Sequence, residues 1–274
     1  MRNRLAAAIH GGEIVVHYQP VVDLSSDRIV AVEALARWQH PERGLVMPGQ
    51  FVETAERTRL IDPLTSCVLD AGLRQLRDWQ RLGLDLVLCV NVSVRSLLDD
   101  EFSDRVAHAL FAAGISPRHL KLEITERTVM PDPRNARGAL ERLAAMGVKL
   151  SIDDFGTGYS SLSYLRDLPV DEVKIDQSFV TGMSANHSDL VIVRSTIDLC
   201  HELDLEVVAE GIEEARIRER LRKLGCDRGQ GYVLSPPLSA RQLTIWMRMR
   251  SMGVGALAAR SAAGVVAVAG GWNV

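Results

Sequence analysis

Long hydrophobic runs and an excess of positive charge are absent from this sequence of 274 residues, and aromatic residues are scarce. No charge-free run of about 20 strongly apolar residues occurs, which argues against an integral membrane protein. Aromatic residues make up 5% of the chain, which leaves little stacking surface for sugars. Because 32 Lys and Arg residues face 35 Asp and Glu residues, no general basic field would attract DNA or RNA. An anionic ligand would have to be held by local groups.

Cysteine motifs and targeting signals are absent as well. The four cysteines stand far apart, without a C-x-x-C pair or a cluster with histidine: Cys67, Cys89, Cys200 and Cys226. This spacing predicts buried free thiols in a reducing compartment rather than disulfides or a zinc site. The basic start of the chain precedes an apolar stretch, Leu5 to Ile9, that is too short for the core of a signal peptide. We therefore predict a cytoplasmic location.

Strand-like and helix-like segments alternate along the chain. The predicted strands are apolar runs rich in β-branched residues, over 14–18, 29–35, 86–92, 120–125, 148–152, 172–175, 206–209 and, more weakly, 229–234. The segments between them have apolar residues at helical spacing, as at Val68, Leu69, Leu73 and Leu76. Alternation over this length predicts a mostly parallel sheet. About eight strands fit a closed, TIM-like (β/α)8 barrel better than a doubly wound open sheet.

The first connection differs from the others. The segment 19–28 that separates the first two predicted strands is too short for a crossover helix, so these strands are predicted to be antiparallel neighbours. The expected fold is an α/β barrel whose first strand is antiparallel. At about 150 residues per domain the chain could hold two domains, but single barrels of about 250 residues are common. We predict one barrel over residues 1–250 and a weakly ordered Ala/Gly/Val-rich tail over residues 251–274.

Polar residues, most of them acidic, fall in or just past the carboxyl-terminal part of successive predicted strands: Glu33, Asn91, Glu123, Asp153, Asp154, Lys174 and Glu210. In a parallel barrel these strand ends open on one face, where active sites are built. Each acid alone could cap a helix or face solvent, but clustered acids repel each other unless a cation offsets them. Oxygen ligands without His or Cys favour Mg²⁺ or Mn²⁺ over Zn²⁺.

Two chemistries could use such a site, and the residue types alone do not choose between them. Two metal ions can activate water and stabilise an in-line displacement at phosphorus. Alternatively, a carboxylate-bound Mg²⁺ and a Lys base can abstract a proton next to a carboxylate, as in enolase-type barrels. In either case Asp153 and Asp154 are expected to face the same site, because the strand ends there and a Gly-rich loop follows. Asn91 would add a neutral oxygen, and Lys174 a fixed positive charge.

Several short motifs surround these residues. The tripeptide Glu33-Ala34-Leu35 is followed by Arg37-Trp38 and preceded by Tyr18-Gln19-Pro20. Further motifs lie along the chain: Asn91-Val92-Ser93, Leu122 to Glu126, Asp153 to Ser161, Lys174-Ile175-Asp176, Ala209 to Glu213 and Gln230-Gly231-Tyr232. In this order they resemble the EAL-domain family of cyclic di-GMP phosphodiesterases, from about residue 9 to residue 243. A three-letter match would mean nothing, but so many motifs in one order make a chance match implausible.

The resemblance implies hydrolysis of one phosphodiester of cyclic di-GMP to linear pGpG, with two Mg²⁺ or Mn²⁺ ions, in a barrel whose first strand is reversed. On the family pattern, one ion is held by Glu33, Asn91, Glu123 and Asp153, and the second by Asp153, Asp154 and Glu210. The catalytic residues implied are Glu210, often assigned as the general base, Lys174, which contacts the attacking water, and Glu33. Gln230 is implied to orient water. The substrate contacts implied are Gln19, Leu35, Arg37, Glu213 and Tyr232.

The resemblance also implies a homodimer, because the family uses the residue at Glu126 to hold the loop 154–161 and couple it to a dimer interface. Departures from the family pattern are peripheral: Pro236 stands in place of a basic residue, Arg59 in place of a common glycine, and Cys67 where tryptophan is frequent. None of them removes an expected metal ligand. The alternatives are a catalytically weak cyclic di-GMP receptor that acts through a protein partner, and a regulator that works by protein contact alone.

Overall fold

The computed structural model of the protein describes residues 2–126, 133–158 and 162–251. The strands in these ranges are β1 (Ile14–Asp23), β2 (Ile29–His40), β3 (Gly44–Val46), β4 (Val87–Asn91), β5 (Leu120–Thr125), β6 (Lys149–Phe155), β7 (Glu172–Ile175), β8 (Glu206–Ala209), β9 (Arg228–Gly229) and β10 (Leu238–Ser239). The α-helices are α1 (Arg2–His10), α2 (Val52–Arg57), α3 (Ile61–Arg81), α4 (Val94–Leu97), α5 (Phe102–Ala113), α6 (Pro133–Ala145), α7 (Leu162–Asp167), α8 (Gln177–Gly182), α9 (His187–Glu202), α10 (Ala215–Lys223) and α11 (Ala240–Ser251). Short 3₁₀ helices cover Pro48–Gln50 and Pro117–His119.

Eight of these strands close a barrel. The strand order is β1, β2, β4, β5, β6, β7, β8, β9 and back to β1. β1 runs antiparallel to both of its barrel neighbours, β2 and β9, whereas the other neighbours in the ring are parallel. β3 extends the end of β2 and β10 pairs with β1, both antiparallel. The predicted barrel with a reversed first strand is confirmed.

Strand boundaries agree best where both faces of a strand are buried. β5, β7 and β8 have the predicted bounds, and β1 and β2 are longer than predicted because they pair with each other along almost their whole length. The prediction of a strand over 229–234 is wrong beyond Gly229. The amide of Leu234 donates to the carbonyl of Gly231 at 3.0 Å, and a Cβ on Gly231 would lie 2.2 Å from the backbone nitrogen of Ile212. A turn that touches another chain segment replaces the strand there.

The core lies between the barrel and its helices. In α3 the apolar residues at helical spacing, among them Leu69, Leu73, Leu76 and Trp79, are buried against the strands as predicted. The four cysteines are free thiols as predicted, but only Cys89, Cys200 and Cys226 are buried, whereas Cys67 is half-buried. Among the described residues, no helix combines the length and the apolar character needed to cross a membrane. The predicted tail lies, after Ser251, outside the described residues.

The barrel interior is layered from one end to the other. At the amino-terminal end of the strands, Lys121 forms a buried ion pair with Glu172, which also accepts from Arg228 Nη1 at 2.8 Å. A small apolar cluster follows it, made of Val21, Ala31, Cys89 and Val208. The polar residues at the carboxyl-terminal ends of the strands form the opposite layer. The apolar cluster thus lies between two charged regions.

Candidate active site

The strand ends bring the predicted polar residues together at the carboxyl-terminal mouth of the barrel. Glu33 lies in β2, beside Gln19 of β1 in the strand register. Asn91 ends β4 beside Glu123 of β5. Asp153, Lys174, Glu210 and Gln230 follow in or just after β6, β7, β8 and β9. Sequence positions up to 211 residues apart therefore share one site.

Lys174 lies at the centre of this group, and 1% of its side chain is exposed. Its Nζ atom is 2.7 Å from Glu210 Oε1, 3.0 Å from Glu123 Oε2, 3.4 Å from Asp153 Oδ1 and 3.8 Å from Glu33 Oε2. One ammonium group thus faces four carboxylates. A buried ammonium with hydrogen-bonded carboxylate partners is the arrangement that a buried charge requires.

The electrostatics of the cluster follow from burial and from the excess of acids. Burial raises the pKa of Glu123 well above its usual value, and it raises the pKa of Glu210 to about 8. Burial opposes the charged form of Lys174 too, but the surrounding carboxylates outweigh it and keep the pKa of this lysine well above its usual value. A cation that entered the site would favour ionised carboxylates and relieve their mutual repulsion.

The neighbouring acids Asp153 and Asp154 face the same site, although not for the reason expected. The strand was predicted to end before them, and that is wrong: β6 continues to Phe155. Its pairing with β7 shifts between Ile152 and Phe155, and Asp154 has a φ of 55°. A bulge with a left-handed residue, a conformation that Asp tolerates better than most residues, turns the second carboxylate toward the first.

These two acids and Glu210 form the group that could hold a metal ion. Each of the three offers a carboxylate oxygen, and the three oxygens lie within 4.8 Å of one another. Hard oxygen donors of this kind suit Mg²⁺ or Mn²⁺. The donor set therefore fits a divalent cation.

A network of amides holds the other side of the site. Asn91 Nδ2 donates to Glu33 Oε1 at 2.7 Å, and Gln230 Nε2 donates to Glu33 Oε2 at 2.6 Å and to Gln19 Oε1 at 3.0 Å. Gln19 in turn donates to the carbonyl of Ser235 at 3.1 Å. Gln230 Oε1 is buried and has no hydrogen-bond partner among the described residues. Because a buried acceptor without a donor is costly, this oxygen suits an ordered water.

The residues expected to contact the substrate differ in how much of each side chain is exposed. Arg37 is buried, and its Nη1 donates to the carbonyl of Ala36 at 2.8 Å. Tyr232 is 65% exposed and Glu213 is exposed, whereas Leu35 is half-buried. Burial lowers the pKa of Arg37, and Tyr232 and Glu33 partly offset this effect. Arg37 lies four residues after Glu33 in β2 and therefore on the same face of that strand.

A cavity of about 380 Å³ opens beside Leu35 and Asn91. Its walls are mainly apolar and include Pro48, Val52 and Leu64. A larger groove of about 480 Å³ is lined by residues of α3, α5 and the turn before α5. Of these two spaces, only the cavity of about 380 Å³ is lined by a residue bonded to the acid cluster, Asn91, which donates to Glu33.

Glu126 lies directly after β5 and is buried. Its Oε2 accepts from the backbone N–H of Gly156 at 3.1 Å. A Cβ added to Gly158 would lie 2.8 Å from Glu126 Oε1, so the loop passes close to this carboxylate. Glu126 thus contacts the segment that follows the Asp153 and Asp154 pair.

The family model described as the EAL domain matches residues 2–237. The chain belongs to the EAL domain family. It is 43% identical over 240 residues to MucR of Pseudomonas aeruginosa, named a bifunctional diguanylate cyclase/cyclic di-GMP phosphodiesterase, and covers 35% of that protein. It is 40% identical over 249 residues to the cyclic di-GMP phosphodiesterase NbdA of Pseudomonas aeruginosa and covers 32% of it. These alignments cover 87% and 90% of this chain, which spans about a third of each relative.

A solved structure gives the same relationship in three dimensions. The structure of the PaMucR phosphodiesterase in complex with c-di-GMP superposes with a TM-score of 0.86 at 43% identity, over 88% of this chain and 98% of that one. The residues matched by the family model, 2–237, include the strand ends that form the acid cluster. The similarity confirms the fold and the family that the sequence motifs indicate.

Proposed function

We propose that this chain hydrolyses one phosphodiester bond of cyclic di-GMP and releases linear pGpG. The observation that supports this most strongly is the acid cluster around Lys174, with three carboxylate oxygens of Asp153, Asp154 and Glu210 within 4.8 Å of one another. The membership of the EAL family and the similarity to a phosphodiesterase solved with c-di-GMP supply the substrate class.

Two divalent cations, Mg²⁺ or Mn²⁺, complete the proposed site. Glu33, Asn91, Glu123 and Asp153 would hold one ion, and Asp153, Asp154 and Glu210 the other. Bound cations would supply charge that stabilises the phosphoryl oxygens and lowers the pKa of water. The unpartnered Gln230 Oε1 and the carboxylate oxygens of the cluster are the groups that suit hydrated cations.

The protein side chains have distinct tasks in the proposed reaction. Glu210 accepts one proton of the attacking water as the water oxygen bonds to phosphorus. The bond from phosphorus to the 3′ oxygen breaks, and the 3′ oxygen takes up a proton from solvent. Glu210 then releases its proton to solvent. Lys174, held 2.7 Å from Glu210, fixes that carboxylate and contacts the attacking water. Gln230, anchored on Glu33 and Gln19, orients water through its free oxygen.

Residues around the carboxyl-terminal mouth of the barrel would recognise the substrate. Arg37 would bind a phosphate oxygen through charge-assisted hydrogen bonds, and Leu35 and Gln19 would contact the dinucleotide. The Gln19 amide also bonds to Gln230 and to the carbonyl of Ser235, and these bonds would hold it in position for that contact. Tyr232 and Glu213, both exposed, would lie near a guanine.

Further parts of the proposal concern the whole chain. We place the catalytic barrel at residues 1–250, with a tail after it, in a cytoplasmic homodimer whose interface is coupled to the site through Glu126. The contact between Glu126 and Gly156 supports the coupling. Size-exclusion chromatography with light scattering would test the dimer, and a monomer at micromolar concentration would contradict it.

The test of the function is direct. The protein is incubated with cyclic di-GMP and either Mg²⁺ or EDTA, and the nucleotides are separated by chromatography. We expect pGpG with Mg²⁺ and unchanged substrate with EDTA. Binding of cyclic di-GMP without any pGpG in Mg²⁺ or Mn²⁺ would contradict the proposal and indicate a receptor instead.

A further inference from the structure

The end of β2 presents two consecutive residues to opposite sides of the barrel wall. Side chains alternate along a strand, so Arg37 shares a face with Glu33, while Trp38 points away from the site. Trp38 is 3% exposed. It packs in a cluster with residues of α1, α2 and α3, here called the amino-terminal cluster: Leu5, Ala8, Ile9, Ile14, Trp38, Val46, Phe51, Ala55, Ile61 and Leu64.

Glu13, in the short connection between α1 and β1, holds the strand at this tryptophan and at the residue after it. Its Oε2 accepts from Trp38 Nε1 at 3.0 Å, and its backbone carbonyl accepts from the amide of Gln39 at 2.8 Å. The same carboxylate receives Arg4 Nη2 of α1 at 2.8 and 2.7 Å. The guanidinium of Arg4 also lies 5.7 Å from the centre of the Trp38 ring. Glu13 therefore ties α1 to the end of β2.

The amino-terminal cluster also supports the cavity beside the active site. Ile61 and Leu64 belong to the cluster and line the cavity that opens next to Leu35. The ring of Phe51 meets Trp38 edge-on, with ring centres 6.1 Å apart. A displacement of α1 and Trp38 would therefore also displace Arg37 and the residues that line the cavity. Neither side chain of the Glu13 and Arg4 pair belongs to the acid cluster.

We propose that Glu13 is a positioning residue for substrate binding, which acts through Trp38 to fix the end of β2 from which Arg37 extends. The inference rests on the proposed function, since it takes Arg37 to be a phosphate contact. The barrel would still close without this link, because β1 and β2 pair along their length. What the link controls is the orientation of the last residues of β2, and with it the affinity for the substrate.

Four variants test the proposal through KM and kcat for cyclic di-GMP with Mg²⁺, below the melting temperature of each variant. Glu13→Ala removes the acceptor of Trp38 and is expected to raise KM by roughly three- to tenfold while kcat changes by less than about twofold. Glu13→Gln keeps an acceptor oxygen for Trp38, so its KM should stay near the wild-type value. Trp38→Phe removes the donor, and the double variant with Glu13→Ala should raise KM no further than the larger single effect.

The matched control is Glu53→Ala on the neighbouring helix α2. Glu53 is exposed and pairs with Arg57 four residues on, at 3.6 Å, so its loss should leave KM unchanged. The proposal would be overturned if Glu13→Ala left KM unaltered, or if it lowered only the melting temperature and kcat. A rise of KM in Glu53→Ala equal to that in Glu13→Ala would overturn it too. So would additive KM effects in the double variant.

Failure of the proposed function is distinguishable from failure of this inference. If the wild-type protein binds cyclic di-GMP but forms no pGpG, the proposed function fails. The same variants are then compared by their Kd for cyclic di-GMP. The ratio of each variant's Kd to the wild-type Kd is expected to equal the ratio given above for KM. Equal Kd values for the wild-type protein and Glu13→Ala would overturn the inference in that case, as would the absence of any binding.

Discussion

Replacement of Lys174 by methionine would remove the buried cation that four carboxylates surround. Methionine has a similar length and no charge, so the change leaves little empty space but leaves Glu123 and Glu210 without their ammonium partner at 3.0 and 2.7 Å. Both Lys174 and Glu123 are 1% exposed. Water therefore has little access to the Glu123 carboxylate, whereas the Glu210 side chain is 18% exposed and can be partly rehydrated.

The size of the effect follows from this burial. Removal of one partner of a buried ion pair costs about 3–5 kcal/mol, and each kcal/mol lowers the melting temperature of a domain of this size by about 2–4 °C. We expect Lys174→Met to melt roughly 6–20 °C below the wild-type protein in EDTA. We also expect kcat to fall by about 10²-fold or more, because a fixed donor at the reacting atoms is lost.

The change in melting temperature on addition of Mg²⁺ tests the role of the Lys174 charge more specifically than the melting temperature in EDTA does. A bound cation would replace the missing positive charge, so the rise in melting temperature on addition of Mg²⁺ should be larger for Lys174→Met than for the wild-type protein. The control is Lys149→Met, because Lys149 also pairs with an acid, Asp171, but is 47% exposed. An exposed pair of this kind contributes less than about 1 kcal/mol, and kcat should stay unchanged.

Calorimetry or a fluorescence melt with and without EDTA measures these differences. The reasoning would be refuted if Lys174→Met melted at the wild-type temperature in EDTA, since the carboxylates would then not need the ammonium group. A loss of stability in Lys149→Met as large as that in Lys174→Met would refute it as well.

Three further predictions concern other parts of the chain. Glu172→Gln leaves the buried ammonium of Lys121 without its carboxylate partner, so urea unfolding should show a free energy of unfolding lower by about 3–5 kcal/mol, with KM unchanged. An unaltered urea midpoint would contradict this. Glu126→Ala removes the acceptor of the Gly156 amide, and kcat should fall about 10- to 100-fold while the fold is retained; wild-type kcat would disprove the loop role. Mg²⁺ at about 100 times its Kd should stabilise the wild-type protein by about 2.7 kcal/mol for each site that it fills, whereas equal melting with Mg²⁺ and EDTA would show that the cluster binds no cation.

Much of the fold was predictable because buried parallel strands have a simple pattern. β5, β7 and β8 are short runs of apolar residues between turn signals, and the length of the first connection predicted the reversal of β1. The helix α1 was missed. Its buried residues Leu5, Ala8 and Ile9 form a stretch too short to indicate a helix by pattern, and helices of this length depend on tertiary packing for their stability.

The gathering of the strand-end polar residues at one end of the barrel was predictable, but their detailed geometry was not. The strand-end positions of Glu33, Glu123 and Lys174 follow from the alternation of strands and helices. The bulge that turns Asp154 toward the site does not, because it depends on the pairing of β6 with β7. The ion pair of Lys121 with Glu172 was missed for a similar reason: two residues 51 positions apart meet only once the register of a closed barrel is known.

The central claim is that the acid cluster hydrolyses cyclic di-GMP, and one comparison tests it most directly. Wild-type protein, Glu33→Ala and the surface control Glu53→Ala are incubated with cyclic di-GMP and Mg²⁺, and pGpG is measured by chromatography over time. We expect the wild-type protein and Glu53→Ala to form pGpG at the same rate and Glu33→Ala to form none, because Glu33 anchors Asn91 and Gln230 at 2.7 and 2.6 Å. Undiminished formation of pGpG by Glu33→Ala would contradict the account.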